Sequence, residues 1–268
     1  MIKIEAKTIL IKQILVIFAI CSLSTMSSAK EIIRISTFEA PPYVSEKSNH
    51  YGFVAHIVSE AFRLKGIKVK YGFFPPARAI DLAKHCDWDG SILWVQSTER
   101  EKVFYYSEKL AEGVLVFFHL KSYSFDWNVI DDLKNISIGI VHGNSYGKEF
   151  NNAVKAGKLV FERVPYETIN YRKLLKGRIK LFLVNRDHGY NQLRKKFKLK
   201  QVQLITHHPK ALKASKYHLV LSKKIKKNKK LLHLFNQGLK ELRKSGKFNR
   251  YFEKFQKGDY LNKGISNN

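Results

Sequence analysis

The sequence contains little cysteine and few acidic residues. Only two of its 268 residues are cysteines, which is too few for a disulfide scaffold or a cysteine-based zinc module. Aspartate and glutamate together number 22, against 49 lysines and arginines, so the formal net charge is +27. Because 44% of the residues are hydrophobic and 13% are aromatic, the chain can still build an ordinary core, and the disordered and fibrous classes are excluded.

Several motifs that carry enzyme chemistry are absent as well. The sequence has no glycine-rich phosphate loop, no dinucleotide-binding fingerprint, no G-x-S-x-G and no H-E-x-x-H. His207 and His208 are adjacent, so on a strand their side chains would point to opposite faces, and no cysteine or carboxylate at ligand spacing joins them. We therefore predict neither a metal site nor a cofactor.

The positive charge is concentrated in the second half of the chain. Residues 30–135 are neutral overall, whereas residues 136–268 hold 32 basic and 7 acidic residues. Between Asp187 and Glu241 there are 15 basic residues and no acidic one. Such asymmetry is typical of proteins that bind nucleic acid or an anionic membrane surface. A solvated basic face is the simpler interpretation.

The first 29 residues have the pattern of a secretory signal peptide. Lys3, Lys7 and Lys12 precede a short apolar run at residues 14–23, and a small, polar stretch then ends at Ala29. The run is shorter than the roughly 20 residues that a membrane-spanning helix needs. We predict cleavage after Ala29 and a periplasmic mature protein, with an uncleaved membrane anchor as the alternative. Export argues against nucleic acid as a partner.

The mature chain reads as two successive runs of alternating strands and helices. The predicted strands are residues 32–36, 69–74, 89–95, 113–120, 136–141, 159–164, 181–184, 202–205 and 217–221. Thr98-x-x-Glu101 reads as a capping box that begins a short helix. Alternation of this kind predicts an α/β protein with largely parallel sheets, and the restart after residue 128 predicts two lobes with a cleft between them.

The order and the motifs of these segments resemble the periplasmic solute-binding proteins of the amino-acid type (family 3), which deliver ligands to ABC importers. The resemblance covers nearly all of residues 32–257. It rests on TFEAPPY (37–43), GFVAHIVSEAF (52–62), DWDGSILWVQSTEREKVFYYSEKL (87–110), DLKNISIGIVHGNS (132–145), LLKGRIKLFLVNRD (174–187) and LKELRKSGKFNRYFEKF (239–255).

The resemblance implies a two-lobed, periplasmic-binding-protein-like (type II) fold, in which each lobe is a mostly parallel sheet flanked by helices. The first lobe would comprise residues 30–118 and 208–257, the second lobe residues 119–207, and residues 258–268 would form a basic, polar tail. Residues 116–119 and 210–216 would form the hinge on which the lobes close over a ligand. The implied function is capture of a small, polar, carboxylate-bearing solute by a monomer that serves an ABC permease.

Two groups of residues match the family's anion-binding positions. Arg100 matches the arginine that holds the ligand carboxylate, and a guanidinium suits a carboxylate because it can donate two parallel hydrogen bonds. Asn144 and Ser145 match, in position and partly in identity, a Gly-Thr-Thr stretch at a strand-to-helix turn. Free N–H groups and a helix dipole favour an anion there. The alternatives are a surface arginine paired with a neighbouring glutamate and a plain helix cap.

Asn185 departs from the family. In the amino-acid binders the matching position carries an aspartate for the ligand's ammonium, and an amide brings no such charge. Asp187, two residues on, would share that face if it lies on the strand, with a position beyond reach of the ligand as the alternative. Glu39 beside the first-strand loop is the other possible source of negative charge, with an exposed loop carboxylate as the alternative. An ordinary α-amino acid is therefore in doubt as the ligand.

Three further residues lie on segments that line the cleft in the family. Tyr43 and Trp94 are aromatic candidates that would pack on an apolar or planar part of the ligand, with core packing as the alternative. Gln96 would share the outward direction of Trp94 by strand alternation. Two other functions remain open. One is an enzyme similar to the periplasmic cyclohexadienyl dehydratases, with Glu39 as its acid, and the other is a soluble sensing partner of a membrane receptor.

Overall fold

The computed structural model describes residues 31–142 and 146–260. The strands are β1 (Ile32–Thr37), β2 (Lys68–Phe73), β3 (Gly90–Trp94), β4 (Phe104–Tyr106), β5 (Ala111–Leu120), β6 (Ile138–Val141), β7 (Phe161–Val164), β8 (Leu181–Asn185), β9 (Ile205–His207) and β10 (Lys213–Ser222). The α-helices are α1 (Phe53–Arg63), α2 (Pro76–Lys84), α3 (Thr98–Glu101), α4 (Lys148–Lys155), α5 (Glu167–Leu175), α6 (Arg186–Lys196), α7 (Leu199–Leu204), α8 (Asn228–Lys244) and α9 (Lys247–Lys257). None of the helices in these ranges is long and apolar enough to cross a membrane.

The strands form one path in the order β2-β1-β3-β10-β5-β8-β6-β7. At one end β1 pairs in parallel with β2 and β3, and at the other end β6 pairs in parallel with β7 and β8. We call the part built on β1, β2 and β3 the first lobe and the part built on β6, β7 and β8 the second lobe. This is the predicted two-lobed α/β fold.

The long strands β5 and β10 join the lobes. Ala111 to Leu115 of β5 pair antiparallel with Tyr217 to Lys213 of β10. Beyond this crossing, β5 continues into the second lobe beside β8 and β9, and β10 continues into the first lobe beside β3 and β4. The two strands therefore pair at residues 111–115 and 213–217. On β5 this segment directly precedes the predicted hinge at 116–119, and on β10 it overlaps the predicted hinge at 210–216.

The side chains of the second lobe follow strand alternation. Phe118 and Phe182 pack in the core on one face of the sheet, together with Tyr171 and Leu193, whereas Phe117 and Leu183 pack in the core on the other face. Because both faces are covered, these strands read as continuous apolar runs in the sequence. The first lobe buries β1 and β3 against α1, α8 and α9 in a single large core.

Two local predictions were wrong. Residues 202–204 form the end of α7 rather than a strand, and only Ile205 begins the pairing with β5. Lys200, Gln201 and Gln203 are good helix formers. The few apolar residues of this segment do not distinguish the 3.6-residue period of a helix from the two-residue period of a strand. The N-cap of α3 is Ser97, whose hydroxyl accepts the Arg100 N–H at 3.3 Å, so the cap lies one residue before the predicted cap at Thr98. The short strand β4 was not predicted.

Side chains also connect the lobes beside the crossing strands. The Nδ1–H of His188 in α6 donates to the carbonyl oxygen of Pro41 at 3.0 Å. The Nε2 of the same ring lies 3.4 Å from the Glu167 carboxylate. Burial acts to lower the pKa of His188, but Glu167 and the Pro41 carbonyl outweigh it, so the pKa lies above its ordinary value. The His188 hydrogen bond in turn lowers the pKa of Glu167.

The packing of α1 on α8 gives the first test. A Cβ added to Gly238 would lie 2.1 Å from the backbone oxygen of Ala61, so Gly238→Ala has to push the helices apart. An alanine in a helix interior is ordinarily stabilising by about 0.5–1 kcal/mol. Here we expect a loss of about 1–3 kcal/mol in the free energy of unfolding, the range for overpacking. Urea unfolding measures the loss, with Lys240→Ala on the exposed face of α8 as the control. A stabilised Gly238→Ala protein would contradict this packing.

The contact of His188 with Glu167 gives a pH dependence with a defined sign. A raised pKa in the folded protein means that the stabilisation is fully present below the unfolded pKa of about 6.5 and is lost as the pH rises through the folded value. The stabilisation from Glu167 is lost only under acidic conditions, as the pH falls below about 4.5 toward its lowered pKa.

We therefore expect the difference in unfolding free energy between wild type and His188→Gln to be largest near pH 6 and to shrink toward pH 8.5. Urea unfolding across this range measures it, and Glu167→Gln should abolish the same pH dependence. A difference that stays constant with pH would show that the charge of His188 is unimportant.

Candidate functional site

The candidate residues of the first lobe gather where β1 and β3 end. Trp94 is the last residue of β3, and its indole N–H donates to Ser91 Oγ at 2.7 Å. The ring of Phe38, just after β1, meets the Trp94 ring edge-on with centroids 5.2 Å apart. Leu93, the residue before Trp94, has a φ of 72°, a left-handed conformation that costs about 1–3 kcal/mol for a residue other than glycine. Strain of this kind concentrates at functional sites.

Arg100 lies over this aromatic pair. Its guanidinium carbon is 5.0 Å from the centre of the Trp94 ring, and Nη1 donates to the carbonyl oxygen of Val95 at 2.7 Å. In the described ranges no carboxylate lies within ion-pair distance of Arg100, so the pairing with Glu99 or Glu101 that the sequence left open is not made. A half-buried arginine stacked on an indole and oriented by one carbonyl retains the donors that bind an anion.

Gln96 and Glu39 have other contacts. Gln96 is exposed beyond the end of β3 and donates to the Glu101 carboxylate at 2.5 Å, so strand alternation does not place it beside Trp94. Glu39 is exposed, and its carboxylate accepts the backbone N–H of Glu46 at 2.8 Å. The carboxylate of Glu39 therefore closes its own loop.

The candidates of the second lobe lie at the end of β8. Asn185 is the N-cap of α6, because its Oδ1 accepts the N–H groups of Asp187 and His188 at 3.1 and 3.0 Å. Asp187 therefore belongs to the first turn of a helix and not to the strand. A capping amide has its acceptor in use, and the Asn185 Oδ1 also lies 3.4 Å from the Tyr43 hydroxyl, which bonds to Asp187 as well.

Asp187 binds Tyr43 from the other lobe. The Tyr43 hydroxyl donates to Asp187 Oδ2 at 2.6 Å, while Arg186 Nε donates to Oδ1 at 3.0 Å. Burial and then the Asp187 charge hold the pKa of Tyr43 well above its ordinary value, so the hydroxyl remains a donor at physiological pH. Tyr43 is buried, and its ring also packs against Tyr217 of β10. Tyr43 thus connects the lobes, with its hydroxyl already occupied.

A cavity of about 240 Å³ lies next to Asp187. Arg186, Arg194 and His207 of the second lobe line it together with Pro42 and Phe255 of the first. Arg194 is held there by the carbonyl oxygen of Gln256 at 2.9 Å. Neither Arg100 nor Trp94 is part of the cavity wall, so this cavity is distinct from the surface that those two residues form.

The remaining candidates, Asn144 and Ser145, lie outside the described residues. The strand before them, β6, ends at Val141, whose N–H donates to the Tyr146 hydroxyl at 2.7 Å. In the parts of the chain that the structure describes, no three histidine, cysteine, aspartate or glutamate side chains are grouped to hold a metal ion.

Sequence reasoning missed two contributors to the site. Phe38 stands next to Glu39 in the first loop, but only the parallel pairing of β1 and β3 reveals that it meets Trp94. Tyr217 is far along the chain from Tyr43, and its contact with Tyr43 follows from the crossing of β5 and β10. Neither contact leaves a signal in local sequence spacing.

Comparison with solved structures shows the same fold in solute-binding domains. The second substrate-binding domain of GlnP from Lactococcus lactis, in its open conformation, matches with a TM-score of 0.67 at 18% identity, over 85% of this chain and 97% of that one. The second substrate-binding domain of a putative amino acid ABC transporter from Streptococcus pneumoniae matches with a TM-score of 0.67 at 17% identity, over 84% and 99%. A histidine kinase sensor domain similar to periplasmic binding proteins matches with a TM-score of 0.59 at 16% identity, over 84% and 96%.

No curated protein sequence matches the chain. The family model for bacterial extracellular solute-binding proteins, family 3, matches residues 33–258, which include both lobes and the strands that join them. The chain therefore belongs to the bacterial extracellular solute-binding proteins of family 3.

Proposed function

We propose that this protein captures a small, carboxylate-bearing solute in the periplasm for an ABC importer, as a monomer, after removal of residues 1–29. The solute would lie between a first lobe of residues 30–118 and 208–257 and a second lobe of residues 119–207. Family membership and the fold support the general role, and the ligand class rests on the side chains described above.

The observation that carries the ligand class is the position of Arg100. Its guanidinium is stacked on Trp94 and oriented by the Val95 carbonyl, while no carboxylate of the described residues neutralises it. A carboxylate bound in bidentate fashion would supply the missing counter-charge, with the rings of Trp94 and Phe38 beside the ligand's apolar part. Asn144 and Ser145 are the proposed contacts from the second lobe.

The surroundings of Asn185 argue against an ammonium group on the solute. Asn185 carries no charge and caps α6, while the Asp187 carboxylate already accepts from Tyr43 and pairs with Arg186. A buried ammonium without a carboxylate partner is costly. We therefore propose a carboxylate without an α-ammonium as the preferred ligand.

Binding rather than catalysis is the function that the side chains favour. Glu39, the acid that an enzyme of the dehydratase type would use, is exposed and accepts the N–H of Glu46. An acid that protonates a substrate needs a raised pKa, which burial away from solvent ordinarily provides.

Arg100→Ala tests the ligand class directly. The solute is first identified by mass spectrometry of what the protein releases on denaturation. Calorimetry with that solute should show a loss of about 2–5 kcal/mol in binding free energy, the range for removing one member of a buried charge pair. Arg172→Ala, at an exposed position of α5, is the matched control. An Arg100→Ala affinity within threefold of wild type would reject the assignment.

Asn185→Asp tests the absence of an ammonium. If the solute is a plain carboxylate, the added charge should weaken binding through like-charge repulsion, whereas an α-amino acid ligand would bind more tightly. Asn185→Ser keeps a capping oxygen without the charge and separates the two effects. Titrations against a panel of amino acids and a panel of dicarboxylates decide the matter. Tight wild-type binding of an amino acid that improves with aspartate would refute this part of the proposal.

A further inference from the structure

Six lysines cover the turn between β10 and α8. This lysine cap consists of Lys223, Lys224, Lys226, Lys227, Lys229 and Lys230, and all six residues are exposed. It is the densest part of the basic second half of the sequence, and solute binding in the cleft gives it no role.

The lysine cap is weakly neutralised. Lys227 lies 3.9 Å from the Asp89 carboxylate, and Lys223 donates to the carbonyl oxygen of Glu101 and lies over the Tyr105 ring. No carboxylate in the described parts of the chain lies within 4 Å of the ammonium groups of the other four lysines. The protein therefore presents four lysine charges without a carboxylate partner between Lys224 and Lys230.

The position of the cap on α8 is unfavourable for the helix itself. Lys229 and Lys230 belong to the first turn of α8, which contains no acidic residue. The N-terminal end of a helix carries the positive end of its dipole, so lysines there repel it where aspartate or glutamate would stabilise it. Helix stability consequently does not explain these lysines.

Apart from Lys223, which reaches the short helix that carries Arg100, the cap follows the end of β10 at the edge of the first lobe where β3 begins. Asp89, which Lys227 approaches, immediately precedes β3 and accepts the N–H of Arg34 in β1 at 2.7 Å. The candidate residues Phe38 and Trp94 lie where the same parallel strands end. A surface bound at the cap would therefore leave the cleft accessible.

We propose that the lysine cap docks the first lobe on a membrane surface that carries anionic phospholipid headgroups. Residues 223–230, which hold the cap, contain no arginine and no aromatic residue. Protein interfaces are enriched in these residue types at their cores and depleted in lysine. Hydrated, flexible ammonium groups suit a surface of mobile phosphate headgroups, which attracts each nearby lysine separately. Nucleic acid does not fit a member of an extracellular family.

Vesicle binding by a matched pair of variants tests the inference. In one variant Lys224, Lys226, Lys229 and Lys230 are changed to glutamine, and in the control the exposed Lys155, Lys158, Lys176 and Lys200 are changed in the same way. Both proteins lose equal charge, and both are prepared as the proposed mature chain that begins at Lys30. Co-sedimentation with vesicles of phosphatidylglycerol and phosphatidylethanolamine is compared with phosphatidylcholine vesicles, without added solute.

We expect the cap variant to bind the anionic vesicles about a hundredfold more weakly than wild type, and the control to stay within about fivefold. Wild-type binding should fall steeply with added salt and be weak on phosphatidylcholine. Circular dichroism should show the same helix content in both variants.

Equal losses of vesicle binding in the two variants would reduce the effect to net charge and overturn the proposal. It would also fail if wild type binds polyglutamate or duplex DNA more tightly than the vesicles. The result is independent of the solute, whose affinity should be unchanged in the cap variant.

Discussion

The hydrogen-bonded pair of β5 and β10 is the constraint on which the molecule depends. Each of the two strands continues into a different lobe, so their pairing joins the first lobe to the second. Gly113 is required there, because a Cβ would lie 2.6 Å from the Tyr217 hydroxyl and 2.8 Å from the Asn185 amide nitrogen. Close approach at this glycine lets residues from three distant strands meet beside the cleft. A larger residue would separate β8 from the crossing and disturb the Tyr43 contact.

Around the crossing of β5 and β10, side chains of the two lobes bond to each other. Tyr43 and Asp187 satisfy each other, and His188 links Pro41 to Glu167. Among the described candidates, Arg100 keeps guanidinium donors beyond its contact with the Val95 carbonyl, and it lies on a surface of aromatic rings. The balance of satisfied acids and an unsatisfied base is the physical argument for an anionic ligand, and it agrees with the loss of the family's aspartate at Asn185.

The charge of the protein is unevenly distributed along the sequence. The acidic residues are spread through the first half of the sequence, while lysines dominate the helices and turns of the second half. Because charges exposed to water are screened over about 8–10 Å, Lys224, Lys226, Lys229 and Lys230 act on whatever touches their edge of the first lobe, whereas Lys223 also reaches the Glu101 carbonyl beside Arg100. Solute capture and surface attachment can therefore be changed separately.

The sequence by itself determined the fold class, the approximate positions of most strands and helices, and the family. These depend on local apolar periods and on motif order, as in the buried run of β6 and the helical stripe of α1. Short segments such as α7 failed because six residues contain too few apolar positions to define a period.

Only the tertiary structure decided which polar side chains are still available. The sequence offered Glu39, Gln96 and Asn185 as candidates and Asp187 as a possible replacement for a missing charge. Each of the four is committed to a backbone N–H, another side chain or the opposite lobe. Their partners stand up to 144 residues away along the chain, as Tyr43 does from Asp187, and depend on how the lobes meet. Hydrogen-bonding capacity is a property of the residue type, whereas its satisfaction is a property of the fold.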